Sequence, residues 1–547
     1  MMAVMTTNGG DSGLALQTAL IAALRDPALF GPECRRVDVI ETHISWVLLT
    51  GRHAYKIKKA VALPFVDCTT LEARRRYCNE ELRLNRRLAP ALYLGVDPIF
   101  GSANSPALGG PGPAIEYAVK MREFPQSALL SQVLERNELA ASDIDALAAT
   151  IADFHRHIAI AGPGSTWGRP DEILRYAIDN FAAIGAGLDG DGQALALAAL
   201  RAWTEDEFAR RRAAFASRQA SGSIRECHGD LHLHNIARID GAITVFDGIE
   251  YNAHLRWIDV ASEIAFTAMD LGDRGRTDYA HRFINAYLER SGDYGGLAVL
   301  PYYLVYRALV RAKVACLRAG QIGPGAMRTA IVDEYRGYLA LAQRYARPAR
   351  PALIVTHGMS GSGKSTFTQQ LLEHLGGVRV RTDVERKRLQ HRSPGVSVGM
   401  ASARDPYDRE ATQATYGRVR DLAREIVSGG LVAIVDAACL ARWQRQLFQA
   451  LARELSIPFV LLTFAASPGL LRERIAARRE VGADASEADL GVLALQTQAQ
   501  EPLTSDEARN ALVIDAALGP SRADDPAFLS ALSGLVPDLR VNPGSSG

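Results

Sequence analysis

Two short stretches of this 547-residue chain carry residue types that phosphate chemistry needs at fixed spacing. The first, LIVTHGMSGSGKSTFTQ, occupies residues 353–369. Leu353 to Thr356 are apolar or β-branched and read as a short buried strand. Gly358, Gly363, Lys364 and Ser365 then spell G-x-x-x-x-G-K-S, and a helical pattern opens at Thr366. Between a strand and a helix this spacing has a physical meaning. The loop through Gly358, Ser360, Gly361, Ser362 and Gly363 curls so that successive N–H groups converge on phosphate oxygens, and the following helix N-terminus adds its dipole. Lys364 reaches the β/γ-phosphates of a nucleoside triphosphate, and the Ser365 hydroxyl holds Mg²⁺. These residues do not distinguish ATP from GTP.

The second stretch, ECHGDLHLHNIARIDGAITVFDGIEY, covers residues 226–251. His228, Asp230 and Asn235 form H-G-D-x-x-x-x-N. A strand at 236–239, an Asp240-Gly241 turn and a second strand from Ala242 follow, ending at Asp247. Asp-Gly between two strand-like runs is a hairpin signal, and a hairpin brings its two ends together. Asn235 and Asp247 should therefore meet, offering the hard oxygen ligands that suit Mg²⁺. Asp230 is placed to accept a proton from a hydroxyl. A different reading gathers His228, His232 and His234 into a metal cluster, although the acids around them are already accounted for.

The elements that must position these groups divide along the chain. From Val37 the period is that of strands (VDVIET, ISWVLLT, HAYKIKK), followed by a helix that Pro90 stops. ALYLGVDPIF and AIEYAVKMREF read as two more strands flanking a Gly/Pro/Ser/Asn loop at 101–113. From about Gln126 the pattern is helical, interrupted by strands at 223–252, and continues to Tyr345. ARPARPA at 346–352 is a Pro-punctuated linker, after which strands and helices alternate as in a doubly wound parallel domain. The Pro/Gly/Ser-rich end, 519–547, reads as a flexible tail.

Composition is ordinary for a globular protein, at 48% hydrophobic and 22% charged, and the net charge of +1 points to neither nucleic acid nor a membrane surface as partner. Six cysteines are scattered without a C-x-x-C pair, so no disulfide framework or zinc site is indicated. No signal-peptide pattern opens the chain, and charges interrupt its most apolar run, 297–316; a cytoplasmic location is expected.

The 228–247 pattern resembles the catalytic loop and metal-binding acid of protein kinases, and its His-Gly-Asp form resembles more closely the aminoglycoside phosphotransferase and choline kinase branch. The resemblance implies that Asp230 is the catalytic base and that Asn235 and Asp247 hold metal. Such a fold needs a Lys–Glu pair in its N-terminal lobe. In HAYKIKK, Ala54, Lys56 and Lys58 share one strand face. Ala54-Tyr55-Lys56 matches the A-x-K ending of the kinase strand, which favours Lys56 over Lys58. On the following helix Tyr77, Glu81, Leu84 and Leu88 form one stripe, so Glu81 is the partner expected, unless it sits at the edge of a solvated face. No G-x-G-x-x-G precedes these strands, which fits the aminoglycoside branch better than protein kinases.

Beyond the phosphate loop, VRVRTDVERKRL places Asp383 at a strand end, and T-D-x-x-R-K-x-L with Arg386 resembles small-molecule P-loop kinases such as gluconate and shikimate kinases, and more distantly zeta-toxin-like ones. That resemblance gives Asp383 the acceptor hydroxyl, the alternative being a helix-capping aspartate. Asp436 closes a second buried strand and is expected to orient the Mg²⁺ shell. Arg474 and Arg478, one helical turn apart, resemble lid arginines; a solvated basic helix reads equally well.

Across nearly its whole length the chain resembles bacterial fusions of an aminoglycoside-phosphotransferase-like domain with a P-loop kinase domain. The fold class expected is an α+β bilobal protein-kinase-like domain over 1–345 (lobes about 30–125 and 126–345), then an α/β P-loop domain with a parallel sheet over 353–518. The function implied is Mg²⁺- and ATP-dependent phosphoryl transfer to hydroxyls of small molecules at two sites. Two alternatives stand beside it: one kinase site with a regulatory nucleotide-binding P-loop domain, or a kinase acting on protein or nucleic acid. Neither substrate nor oligomeric state follows from the sequence.

Overall fold

The computed structural model describes residues 8–63, 66–185, 193–348, 350–392, 409–481, 490–518, 523–537 and 539; the side chains of 8–12, 391–392, 478–481 and 518 fall outside that description. Two compact units emerge, one from Met1–Ala146, Asp153–Arg169 and Gln219–Thr267, the other from Leu147–Ala152, Pro170–Arg218 and Ala268–Gly547.

The first unit is built on an antiparallel sheet of β1 (Asp38–Glu41), β2 (Ser45–Leu49), β3 (His53–Lys58), β4 (Tyr93–Ser102), β5 (Ser105–Leu108) and β6 (Glu116–Arg122). Their order across the sheet is β1-β2-β3-β6-β4-β5. Alternation along β3 sorts its two faces. Tyr55 and Ile57 join Trp46 and Leu48 in a core closed by Leu20 and Ile21 of the N-terminal helix. Ala54, on the opposite face, packs with Cys78 of helix α1 (Leu71–Asn85). Thr70 caps that helix by accepting from the Ala73 N–H at 3.1 Å. The hairpin Ile236–Ile239 with Ala242–Val245 pairs as expected from Asp240-Gly241. Strand β5 was not expected; it lies inside the stretch read as a loop. Pro106 marks it as a breaker by composition, but β5 is an edge strand, where a missing donor is tolerated.

The second unit carries an all-parallel sheet of β7 (Leu353–His357), β8 (Val378–Arg381), β9 (Ala433–Asp436), β10 (Phe459–Ala465) and β11 (Ala511–Asp515), ordered β8-β9-β7-β10-β11. The compact units are not divided at 346–352. Helices from 268 to 345 belong with the parallel sheet, because Asn285 pairs with the backbone of its edge strand, donating to Gly377 O at 3.0 Å and accepting from Arg379 N at 2.8 Å. The supposed tail needs correction too. Residues 526–535 form a helix capped by Asp525, and Leu532 and Val536 lie in one core with Phe367 and Leu371. Its apolar spacing (Phe528, Leu532, Leu535) outweighs the Gly/Pro/Ser composition around it. Among the described residues no helix is long and apolar enough to cross a membrane.

Candidate functional sites

The first unit gathers Lys56, Asp230, Asn235 and Asp247 on the lining of one cavity of 460 Å³. Lys56 stands on β3 with its ammonium 2.9 Å from Glu81 Oε1 and paired also with Asp247. Lys58, two residues on and therefore on the same face, pairs with the other oxygen of Glu81 and with Glu250. Both lysines thus meet Glu81, but Lys56 lines the cavity while Lys58 is 1% exposed beneath it. Burial opposes ionisation throughout this cluster. The adjacent lysines overcome it at Glu81 and hold its carboxyl at about 2. Burial would also lower the Lys56 ammonium, yet Asp247 and Glu81 keep it well above the ordinary lysine range. At Glu250 burial prevails over Lys58 and the carboxyl is raised.

The turn His228-Gly229-Asp230 is held from three sides. The carboxylate of Glu263 accepts the N–H groups of His228 at 2.7 Å and Gly229 at 2.8 Å. The His228 ring bridges Phe246 O at 2.8 Å and the Asp230 N–H at 3.3 Å, and burial lowers its pKa, so it stays neutral. Gly229 adopts φ +90°, and a Cβ there would stand 2.7 Å from Leu255 O, which explains the glycine of His-Gly-Asp. The Asn235 amide donates to Asp230 Oδ2 at 3.0 Å, and Asn235 O receives the Phe246 N–H at 3.0 Å, so the hairpin joins its ends as its sequence requires. Asp247 sits at φ +63°, a conformation aspartate tolerates, with its N–H on Tyr93 Oη at 3.1 Å.

The three histidines of this stretch do not converge. His234 Nδ1 meets Ser131 Oγ at 3.0 Å, and His232 Nε2 lies 3.3 Å from Asp230. Glu263, Glu250 and Tyr93 escaped the sequence reading because each acts through a contact far along the chain, with no local pattern to mark it. At the end of β6, Arg122 N donates to Leu92 O and Glu123 N to Arg52 O.

In the second unit, Ser360, Gly361, Gly363, Lys364, Ser365 and Thr366 line a 230 Å³ cavity together with Asp383, Asp436 and Arg474. Strand β7 delivers the loop, and helix α2 (Lys364–Leu375) starts at its last glycine. Gly361 is at φ +83° with a would-be Cβ 3.0 Å from Leu471 O, so the loop packs there too closely for any side chain. Gly358 and Ser362 stand behind the cavity; a Cβ on Gly358 would meet Phe464 Cβ at 3.0 Å. Lys364 is folded over its own loop, donating to Gly358 O at 2.9 Å and Met359 O at 2.7 Å. Asp383 lies in the first turn of the helix after β8, 3.1 Å from Arg386. Asp436 ends β9 and is 5% exposed. Arg474 donates to Ala516 O at 2.8 Å. The Arg478 side chain lies outside the described residues.

The donor sets fit the groups the motifs imply. Asp247 with Asn235, and Ser365 with Asp436, offer the oxygen ligands a divalent cation takes. A glycine-rich loop at a helix start, with a lysine, suits a triphosphate.

Residues 353–503 match a family described as an AAA domain. The uncharacterized protein Rv2004c of Mycobacterium tuberculosis (strain ATCC 25618 / H37Rv) is 30% identical over 456 residues, covering 82% of this chain and 88% of that protein. The uncharacterized protein Mb2027c of Mycobacterium bovis matches to the same extent. Among solved structures, the chain is similar to a choline/ethanolamine kinase family protein from Mesorhizobium loti (12% identity, 60% of this chain and 99% of that one, TM-score 0.34). A gluconokinase from Sinorhizobium meliloti 1021 is similar at 20% identity over 35% of this chain and 93% of its own, TM-score 0.24. The chain therefore belongs to the family of these mycobacterial proteins, with an AAA domain over residues 353–503.

Proposed function

We propose that the protein transfers the γ-phosphate of ATP to hydroxyl groups of small molecules at two separate sites. The observation carrying this reading is that each cavity brings together, from distant positions, a cation for phosphate, oxygens for Mg²⁺ and a further carboxylate for the acceptor. In the first cavity Lys56, steadied by Glu81, holds phosphate; Asn235 and Asp247 hold the metal; Asp230 takes the proton of the attacking hydroxyl. Asn235 holds the Asp230 carboxylate and the His228 ring holds the Asp230 N–H before substrate arrives, so little reorganisation accompanies the transfer. In the second, the loop N–H groups and Lys364 cradle phosphate, Ser365 and Asp436 hold the metal, Arg474 covers the transferred group, and Asp383 receives the proton. Arg386, 3.1 Å from Asp383, holds that carboxylate in place. Bound Mg²⁺ neutralises charge on the phosphates.

The test is ADP release with Mg²⁺-ATP against a panel of sugars, polyols and amino alcohols. Wild type is run beside Asp230→Asn, Lys364→Ala and Asp383→Asn. A compound served by the first site should lose about 10²–10⁴-fold in turnover with Asp230→Asn alone. One served by the second should lose as much with Asp383→Asn, and more with Lys364→Ala. If no compound raises turnover, and a slow hydrolysis falls with Lys364→Ala but not with Asp383→Asn, the P-loop half is a nucleotide-driven regulator and the two-kinase reading fails.

A further inference from the structure

The metal-side residues of the P-loop cavity are braced by a helix outside the matched AAA domain. Helix α3 is the segment Thr277–Ser291, far upstream of residue 353. Its Glu289 is 18% exposed, and one carboxylate oxygen receives both Nε (3.1 Å) and Nη2 (2.9 Å) of Arg379. The third nitrogen of that guanidinium donates to Ser365 O at 2.9 Å and lies 3.4 Å from Thr368 Oγ1. Thr368 in turn reaches Ser365 O at 3.2 Å and Asp436 Oδ2 at 3.5 Å. The other oxygen of Glu289 faces Arg381, 3.9 Å away, and Arg381 stands between Glu289 and Asp436, whose Oδ2 is 3.8 Å from it. Strand pairing sets Arg381 directly beside Asp436, so the two cannot avoid each other.

This geometry poses an electrostatic problem. A guanidinium next to the carboxylate meant for a divalent cation competes with that cation, and in a half-buried cavity the competition is stronger than in water. Glu289 offers Arg381 a second partner. We infer that Glu289 is a positioning residue of the P-loop site: by sharing Arg381 and anchoring Arg379, it keeps Asp436 for the metal and fixes the first turn of α2 that carries Ser365. Helix α3 is thereby part of the second active site, although it precedes that domain in the chain. The inference rests on the reading that Ser365 and Asp436 hold the nucleotide's cation.

The experiment uses the full chain and follows the Lys364-dependent binding of a fluorescent ATP analogue as Mg²⁺ is titrated. Asp436→Asn is the control for the underlying reading and should raise the half-saturating Mg²⁺ concentration. If it does not, the metal assignment fails, and the inference with it. Given that shift, Glu289→Gln should raise the same midpoint about tenfold. Its amide oxygen still accepts from Arg379, so the melting temperature should stay near wild type. Adding Arg381→Ala to Glu289→Gln should bring the midpoint back toward wild type, a rescue that a merely structural role of Glu289 would not produce. A Mg²⁺ midpoint unchanged by Glu289→Gln, or unrescued by Arg381→Ala, overturns the inference. Glu289→Ala, which also strips Arg379 of its partner, serves as the stronger variant where it folds.

Discussion

The two sites assemble charge in opposite ways. Around Lys56 everything is side chain: two ammonium groups face the carboxylates of Glu81, Glu250 and Asp247, all but the last buried. Around Lys364 most of the work falls to the backbone. Glycine backbone lines the cavity, and the single ammonium rests on carbonyls of its own loop. A buried ion network must remain balanced for the unit to fold, because any member left alone is an uncompensated charge in a poorly solvated place. A backbone cradle asks much less of the fold. Catalytic and structural demands therefore coincide in the first unit and separate in the second.

The largest effect expected breaks that contrast directly. Glu81→Ala removes the one carboxylate shared by Lys56 and Lys58 and should destabilise the first unit by about 3–5 kcal/mol. Lys364→Ala should abolish nucleotide binding at the P-loop while costing under about 1 kcal/mol of stability, since the bonds it forfeits to the Gly358 and Met359 carbonyls and the Ser362 hydroxyl lie within its own loop. Peptide-level hydrogen exchange reads each unit separately. Equal destabilisation by the two variants would mean that the lysine loop is as much a structural keystone as the buried network.

Acid should separate the units next. Glu81 has its carboxyl held at about 2 against an unfolded value of 4.5. A depressed carboxylate contributes stability that is complete above 4.5 and lost as pH falls toward 2. His357, at the end of β7, is the reverse case for a base: burial, with Arg445 and Lys364 nearby, lowers it from 6.5 to about 4. The unfolded chain takes up the proton below 6.5 and the folded one does not, so stability drains from 6.5 and the loss is complete near 4, amounting to at most about 3 kcal/mol. The His357 contribution to the parallel sheet should therefore be lost in milder acid than the Glu81 contribution to the antiparallel one. His357→Phe should remove that shoulder, because neither ring nitrogen finds a hydrogen-bond partner among the described residues. A P-loop unit whose acid profile is the same with and without His357 contradicts this.

The same contrast decides what was legible in the sequence. The P-loop residues are contiguous, and local geometry alone turns them into a site, so the motif could be read with its flanks. The first site is spread from Lys56 to Asp247: the His-Gly-Asp motif and its hairpin marked Asp230, Asn235 and Asp247, while strand alternation placed Lys56 and a helical stripe placed Glu81. Alternation could not choose between Lys56 and Lys58, which share a face by construction. The choice lies in depth below the cavity, a tertiary property. Glu263 and Glu289 were invisible for the same reason, each looking like any acid on a helix until the fold brings a backbone N–H or an arginine against it. The helix at 526–535 was missed on composition, which is blind to the spacing of three apolar residues.

The smallest effect expected concerns the loop at rest. Gln496, on the helix Leu490–Ala499, accepts the Ser360 N–H at 2.8 Å and donates to Ser360 Oγ at 3.0 Å. An N–H of the phosphate cradle is thus occupied by a neutral amide, which a triphosphate must displace or work around. The exchange trades one hydrogen bond for another to a charged oxygen, a difference of about 0.5–1 kcal/mol. Gln496→Ala should accordingly tighten Lys364-dependent nucleotide binding by about two- to fivefold, with most of the change in the association rate, as measured by stopped-flow fluorescence. Weaker binding in the variant would instead make Gln496 a ligand of the bound nucleotide. The second site would then depend on side chains more nearly as the first does, and the contrast between the two would narrow.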